Sequence, residues 1–116
     1  MARSILLILY LLIAISALWI FGSQSPMQSQ GLPEDEIPAL RKEVREIIRP
    51  TCGSCHTSTI PTAKPKALAV FDLKNDDWSG RMTVSQLKGF DKRLDKFNPS
   101  EKSKINKLLD AERAKR

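Results

Sequence analysis

Both cysteines and the single histidine of the chain fall within five consecutive residues, Cys52-Gly-Ser-Cys55-His56. No other feature constrains the fold as much, because the remaining sequence supplies little apolar mass. Past an apolar N-terminal run, about 85 residues are left for a globular domain. The whole chain has four phenylalanines and two tryptophans, and Phe21 and Trp19 belong to that run. A domain this small buries a modest fraction of its surface and ordinarily needs a disulfide, a metal or a cofactor as a staple. The five residues are the place for one.

The N-terminal run extends from Ile5 to Phe21 without a charge, behind Met1 and Arg3. As a helix it would be roughly 25 Å long at about 1.5 Å per residue, just short of a hydrocarbon core of about 30 Å. A cleaved secretory signal needs small residues at its end. Phe21-Gly22-Ser23 offers a bulky one instead, so residues 1–22 are expected to form an uncleaved anchor rather than a signal peptide. Nothing charged follows until Glu34, and the positive-inside tendency then leaves the N-terminus in the cytoplasm and the rest outside. Residues 23–36, which include "SQSPMQSQG", read as a flexible linker. The domain proper is expected over residues 37–116.

Pro38 opens a helical stretch in which Ile37, Leu40, Val44, Ile47 and Ile48 recur at three- and four-residue spacing. Glu34, Asp35 and Glu36 suit the positive end of that helix, and Pro50 is expected to stop it after Arg49. From Thr57 to Gly80 the chain reads as loop, with one apolar patch from Ala67 to Leu73 packed on something apolar. A second helix starts near Thr83, where Thr83 and Gln86 have capping-box spacing. Leu87, Phe90, Leu94 and Phe97 form its stripe, and Gly89 weakens it. Asn98-Pro99-Ser100-Glu101 announces a third, with Ile105, Leu108 and Leu109 facing inward. No credible sheet is visible, so the fold class is all-α.

The chemistry of the five residues narrows quickly. A thioredoxin-like dithiol belongs in a strand–helix setting, and here a helix leads into the motif. A closed structural zinc site takes four cysteine or histidine ligands, and the chain has three. A disulfide across two residues would close a very small loop and leave His56 without a role. The remaining reading, C-x-x-C-H, is the attachment signature of a c-type haem. Two thiols at this spacing bond the two vinyl positions on one porphyrin edge, and the next residue lies under the iron. Export agrees with it, because covalent attachment takes place outside the cytoplasm.

On these residues the chain resembles a class I-type cytochrome c over most of Ile37 to Arg116. The shared features are an amphipathic helix running into C-x-x-C-H, a loop and a C-terminal helix. "VREIIRPTCGSCH" is also similar to the entry of small single-haem domains in bacterial membrane-associated cytochromes. The resemblance implies about three helices wrapped around one covalent haem c, with the C-terminal helix crossing the first. It also implies thioether bonds from Cys52 and Cys55, His56 as proximal iron ligand, and electron transfer as the function.

For the other side of the iron, a second histidine is excluded, leaving Met82, Met27, a lysine or an open position. In the resembled family a methionine downstream of the motif supplies this ligand, and in some small bacterial members a tryptophan a few residues before it hydrogen-bonds a haem propionate. That implies Met82 as distal ligand and Trp78 as propionate contact. The 26 positions from His56 to Met82 are fewer than in most of the family. Ile60, Pro61, Leu68, Val70, Phe71 and Leu87 are candidates for the apolar envelope.

The formal charge is +6, and from Gln86 to Arg116 lysines and arginines outnumber acids ten to five. Such a face would steer an acidic redox partner. Nucleic acid is disfavoured as a partner by export and by the lack of an aromatic–basic patch. The sequence therefore leads to a haem-bearing electron carrier with redox-protein partners, held at the cytoplasmic membrane by one span with its domain outside. It would not be an enzyme and would have no small-molecule substrate. A haem-based sensor with an open sixth position, a haem subunit of a larger respiratory complex and a haem-free Cys52–Cys55 redox pair are the rival readings.

Overall fold

The computed structural model describes residues 31–116, and the expectations for the anchor 1–22, for most of the linker and for Met27 lie outside them. In this region every regular element is helical. Helix α1 is Ile37–His56, α2 is Pro65–Leu68, α3 is Val84–Asp91 and α4 is Pro99–Ala114, with a short 3₁₀ turn at Leu94–Lys96 before α4. Among the described residues no helix is long and apolar enough to cross a membrane.

Two expectations about local structure need correction. Pro50 does not end α1, which continues through it for six more residues to His56. A proline inside a helix removes one backbone bond and crowds the carbonyl four residues back. Here the last turn is held from outside. The carbonyls of Ser54, Cys55 and His56 accept hydrogen bonds from Thr62 Oγ1 at 2.7 Å, from the Lys64 N–H at 3.0 Å and from the Leu73 N–H at 2.7 Å. These are carbonyls that a helix end leaves without an intrahelical partner, and the following loop satisfies all three. The second correction lies in that loop, where Pro65–Leu68 forms one helical turn rather than irregular chain.

The helix starts follow their caps. Thr83 Oγ1 accepts the Gln86 N–H at 3.2 Å while the Gln86 side chain accepts the Thr83 N–H at 2.8 Å, a complete capping box. Asn98 and Glu101 repeat the arrangement at 2.9 and 3.0 Å, with Pro99 in the first turn. The expected stripe after Thr83 is buried at Leu87, Phe90 and Phe97, but α3 ends at Asp91 and the 3₁₀ turn carries Leu94. Gly31 to Glu36 is less free than a linker, since Leu32 packs on the core and Glu34 to Glu36 form a turn.

The principal packing is between α1 and α4. Ile37, Leu40, Val44 and Ile48 on α1 meet a core that includes Ile105, Leu108, Leu109 and Ala111 on α4. Burying each such aliphatic side chain contributes roughly 1.5–3 kcal/mol. Phe71, Trp78 and Phe90 form a tilted aromatic cluster with centroids 5.4–6.4 Å apart, which joins the loop and α3 to the pair of long helices.

Candidate functional site

A cavity of about 520 Å³ opens where the end of α1, the loop around α2 and the face of α3 meet. It lies within the size range of cofactor sites, about 300–1,000 Å³. Cys52, Cys55 and His56 line it from the last turn of α1, Ala67, Val70 and Phe71 from the loop, and Met82, Gln86, Gly89 and Phe90 from the α3 side. Lys64, Lys66 and Arg93 are the cations on its wall.

His56 is held by one residue in two ways. Its ring stacks on that of Phe71, and its Nδ1 stands 3.1 Å from the Phe71 carbonyl oxygen. A carbonyl can only accept, so the proton is on Nδ1 and Nε2 carries the lone pair. That is the tautomer a metal-ligating imidazole needs, with its second nitrogen oriented by a backbone oxygen. Burial lowers the pKa of the ring, while the Phe71 hydrogen bond opposes the shift. The ring is accordingly neutral at neutral pH.

Both cysteines are free thiols, each partly buried. Burial pushes the Cys52 thiol up, against the opposing charges of Arg93 and Lys96. A dithiol redox centre depends on a lowered thiol pKa, so the environment of Cys52 weighs against that reading. Among the described residues no three His, Cys, Asp or Glu side chains converge as a metal site. Cys52, Cys55 and His56 line the cavity together from the end of α1.

Met82 is brought to the same cavity and is 1 % exposed. Its place depends on the preceding turn, where its N–H donates to the Ser79 carbonyl at 3.2 Å. Trp78, by contrast, is not on the cavity wall. It is buried against Phe71 and Phe90, and its indole N–H donates to the Arg41 carbonyl at 3.1 Å. A propionate contact from Trp78 therefore has no donor left in this structure.

The expected envelope is divided. Val70 and Phe71 line the cavity. Ile60 and Pro61 are exposed, Leu68 is partly buried off the wall, and Leu87 is fully buried in the helical core behind it. Ala67, Gln86, Gly89 and Phe90 take their places, with Lys64, Lys66 and Arg93. On α3 the helical period is the signal that could have found them: Gly89 and Phe90 stand three and four residues on from Gln86 on one face, and Arg93 follows just past the helix end.

No family model, curated protein or solved structure matches the chain.

Proposed function

We propose that this chain is an electron-transfer protein carrying one covalently bound haem c and tethered to the cytoplasmic membrane by its apolar N-terminal segment. One observation supports the reading above all: Cys52, Cys55 and His56 at the end of α1 share a single cavity with Met82, 26 residues further along. A haem fits the residues present. The thiols of Cys52 and Cys55 would each add across a vinyl group, sulfur bonding one carbon and the thiol hydrogen passing to the other, so no oxidant or reductant is needed. His56 would bind the iron through Nε2, and Met82 through its thioether sulfur.

Bound in this way, a haem supplies iron that takes up or gives up one electron. The chain's own groups do the rest. Phe71 fixes the tautomer and plane of His56. Met82, as a soft ligand, would raise the potential relative to harder ones, and its side chain is buried. Val70, Phe71 and Phe90 exclude water from the cavity, which also tunes the potential. No substrate is transformed, and the partners are other redox proteins, drawn by the excess of lysine and arginine after Gln86.

The test is a visible spectrum of the full chain, produced in cells able to attach c-type haem and extracted in mild detergent. The wild type should keep its haem stain on a denaturing gel and give a low-spin ferric spectrum with a weak long-wavelength sulfur-to-iron band. Met82→Ala should lose the band and bind carbon monoxide once reduced. A wild type that is high-spin and takes up carbon monoxide readily would put a ligand-binding sensor ahead of electron transfer. Absence of gel-stable haem would refute both.

A further inference from the structure

We propose that Arg41, Ser79 and Glu112 are positioning residues that set where Met82 stands in the cavity. The inference rests on the reading of Met82 as an iron ligand. Met82 follows a short turn whose residues 77 to 79 are tied to the α1–α4 pair and whose Gly80 is tied to Arg116, just past the end of α4. Asp77 Oδ1 pairs with Arg41 at 2.5 Å. The Trp78 indole donates to the Arg41 carbonyl. The Ser79 hydroxyl donates to Glu112 Oε1 at 2.7 Å, and Arg41 Nε approaches both partners, at 3.2 Å from Ser79 Oγ and 2.6 Å from Glu112 Oε1. The Gly80 carbonyl accepts from Arg116 at 2.7 Å.

Ser79 is the coupling point. Its side chain is fixed to α4, and its carbonyl receives the Met82 N–H. A shift of Ser79 therefore moves the Met82 backbone directly. Ser79 is fully buried and Glu112 is 1 % exposed. A buried ion pair often gives no more stability than apolar side chains of the same volume would. What it does provide is a defined geometry, because a charged hydrogen bond tolerates less displacement than an apolar contact. Gly80 belongs to the same device, since a Cβ there would lie 2.0 Å from Asp77 Oδ1 and 2.7 Å from an Arg41 nitrogen. Hydrophobic packing of α1 on α4 would hold the helices together without any of these groups. The turn that leads to Met82 is what they add.

The experiment uses the full chain with haem attached and compares wild type with Ser79→Ala, Glu112→Gln and Glu43→Gln. Ser79→Ala removes one oxygen and nothing else. Glu43→Gln breaks the Lys104–Glu43 pair, which joins the same two helices away from the turn. Helical circular dichroism and gel-stable haem check that each variant is folded and loaded. Ser79→Ala and Glu112→Gln should weaken the sulfur-to-iron band and raise carbon monoxide affinity of the reduced protein about tenfold, the equilibrium factor carried by one hydrogen bond. Amide exchange at Met82 should quicken in both. Glu43→Gln should match the wild type. Wild-type band, carbon monoxide affinity and exchange in both variants would overturn the positioning role, as would an equal loss in Glu43→Gln. A wild type lacking the band or the haem fails at the parent reading and removes this inference with it.

Discussion

The imidazole of His56 lies flat against the ring of Phe71, centroids 3.7 Å apart and planes 5° from parallel, while Nδ1 meets the carbonyl of the same residue. One residue thus controls both the plane and the tautomer of the candidate iron ligand. The two controls separate by mutation, because the carbonyl belongs to the backbone. Phe71→Leu should keep the proton on Nδ1, as read from the imidazole nitrogen shifts of the haem-free protein. Phe71→Ala should destabilise the fold by about 3–5 kcal/mol, the usual range for a buried phenylalanine, in a urea titration. A proton found on Nε2 in Phe71→Leu would mean that the ring, and not the carbonyl, sets the tautomer.

Acid should attack the protein through Glu112. Burial raises the pKa of this carboxyl, but hydrogen bonds from Arg41 and Ser79 and the guanidinium charge outweigh burial and hold it below the ordinary carboxylate range. The unfolded chain therefore binds this proton more readily than the native one. The resulting stability is complete above the unfolded value of about 4.3 and is lost as pH falls through the lower native value. Glu112→Gln should lower stability by about 1.5–3 kcal/mol at neutral pH, the range for a hydrogen bond to a charged group. Its acid limb should also be flatter in urea midpoints recorded against pH. Parallel curves for the two proteins would exclude Glu112 as a source of the acid sensitivity.

Gly80 tests the tightness of the turn. An alanine Cβ would collide with the Asp77 carboxylate, which is half-exposed and free to swing away from Arg41, and less severely with an Arg41 nitrogen at the far end of that side chain. Gly80→Ala should therefore destabilise by about 1 kcal/mol, the upper range for a solvent-screened ion pair, measured by chemical denaturation. An Asp77→Asn background should remove most of that penalty. A loss several times larger, unchanged in that background, would point to the backbone instead.

Pro50 should be dispensable for folding. It is exposed, and α1 passes through it with one backbone bond missing. Pro50→Ala should restore that bond and raise stability by about 1–2 kcal/mol, the relief of a helix-interior proline less the added freedom of the unfolded chain. Thermal unfolding of the two proteins side by side decides it. A lower midpoint for alanine would show that the proline bends α1 in a way the cavity requires.

Local rules reached some elements and missed others for identifiable reasons. Thr83 with Gln86 and Asn98 with Glu101 are each confined to four residues, and both capping boxes form as the spacing indicates. The stripe of α1 is equally local, a matter of period. The end of α1 is not. Nothing near Pro50 signals that Thr62, Lys64 and Leu73 return to satisfy the carbonyls of Ser54, Cys55 and His56. Of the envelope candidates, Val70 and Phe71 of the loop line the cavity, whereas Leu87 on α3 faces the core behind it, because the apolar stripe of a helix turns toward its packing partner. The order of Trp78 before Met82 carries no information about which way its indole N–H points, and that N–H meets the Arg41 carbonyl.

By itself the sequence determined which residues are able to carry chemistry and where the long helices begin. Cys52, Cys55 and His56 are all the cysteines and the single histidine of the chain, and caps act over a few residues. Tertiary structure alone decided that these three residues share one cavity with Met82, that Phe71 orients His56, and that Ser79 is clamped between Arg41 and Glu112. Arg41 and Glu112 are 71 positions apart and their meeting depends on how α1 packs on α4. Helical periodicity places a side chain on a face, but only the packing of that face against another decides what the side chain meets.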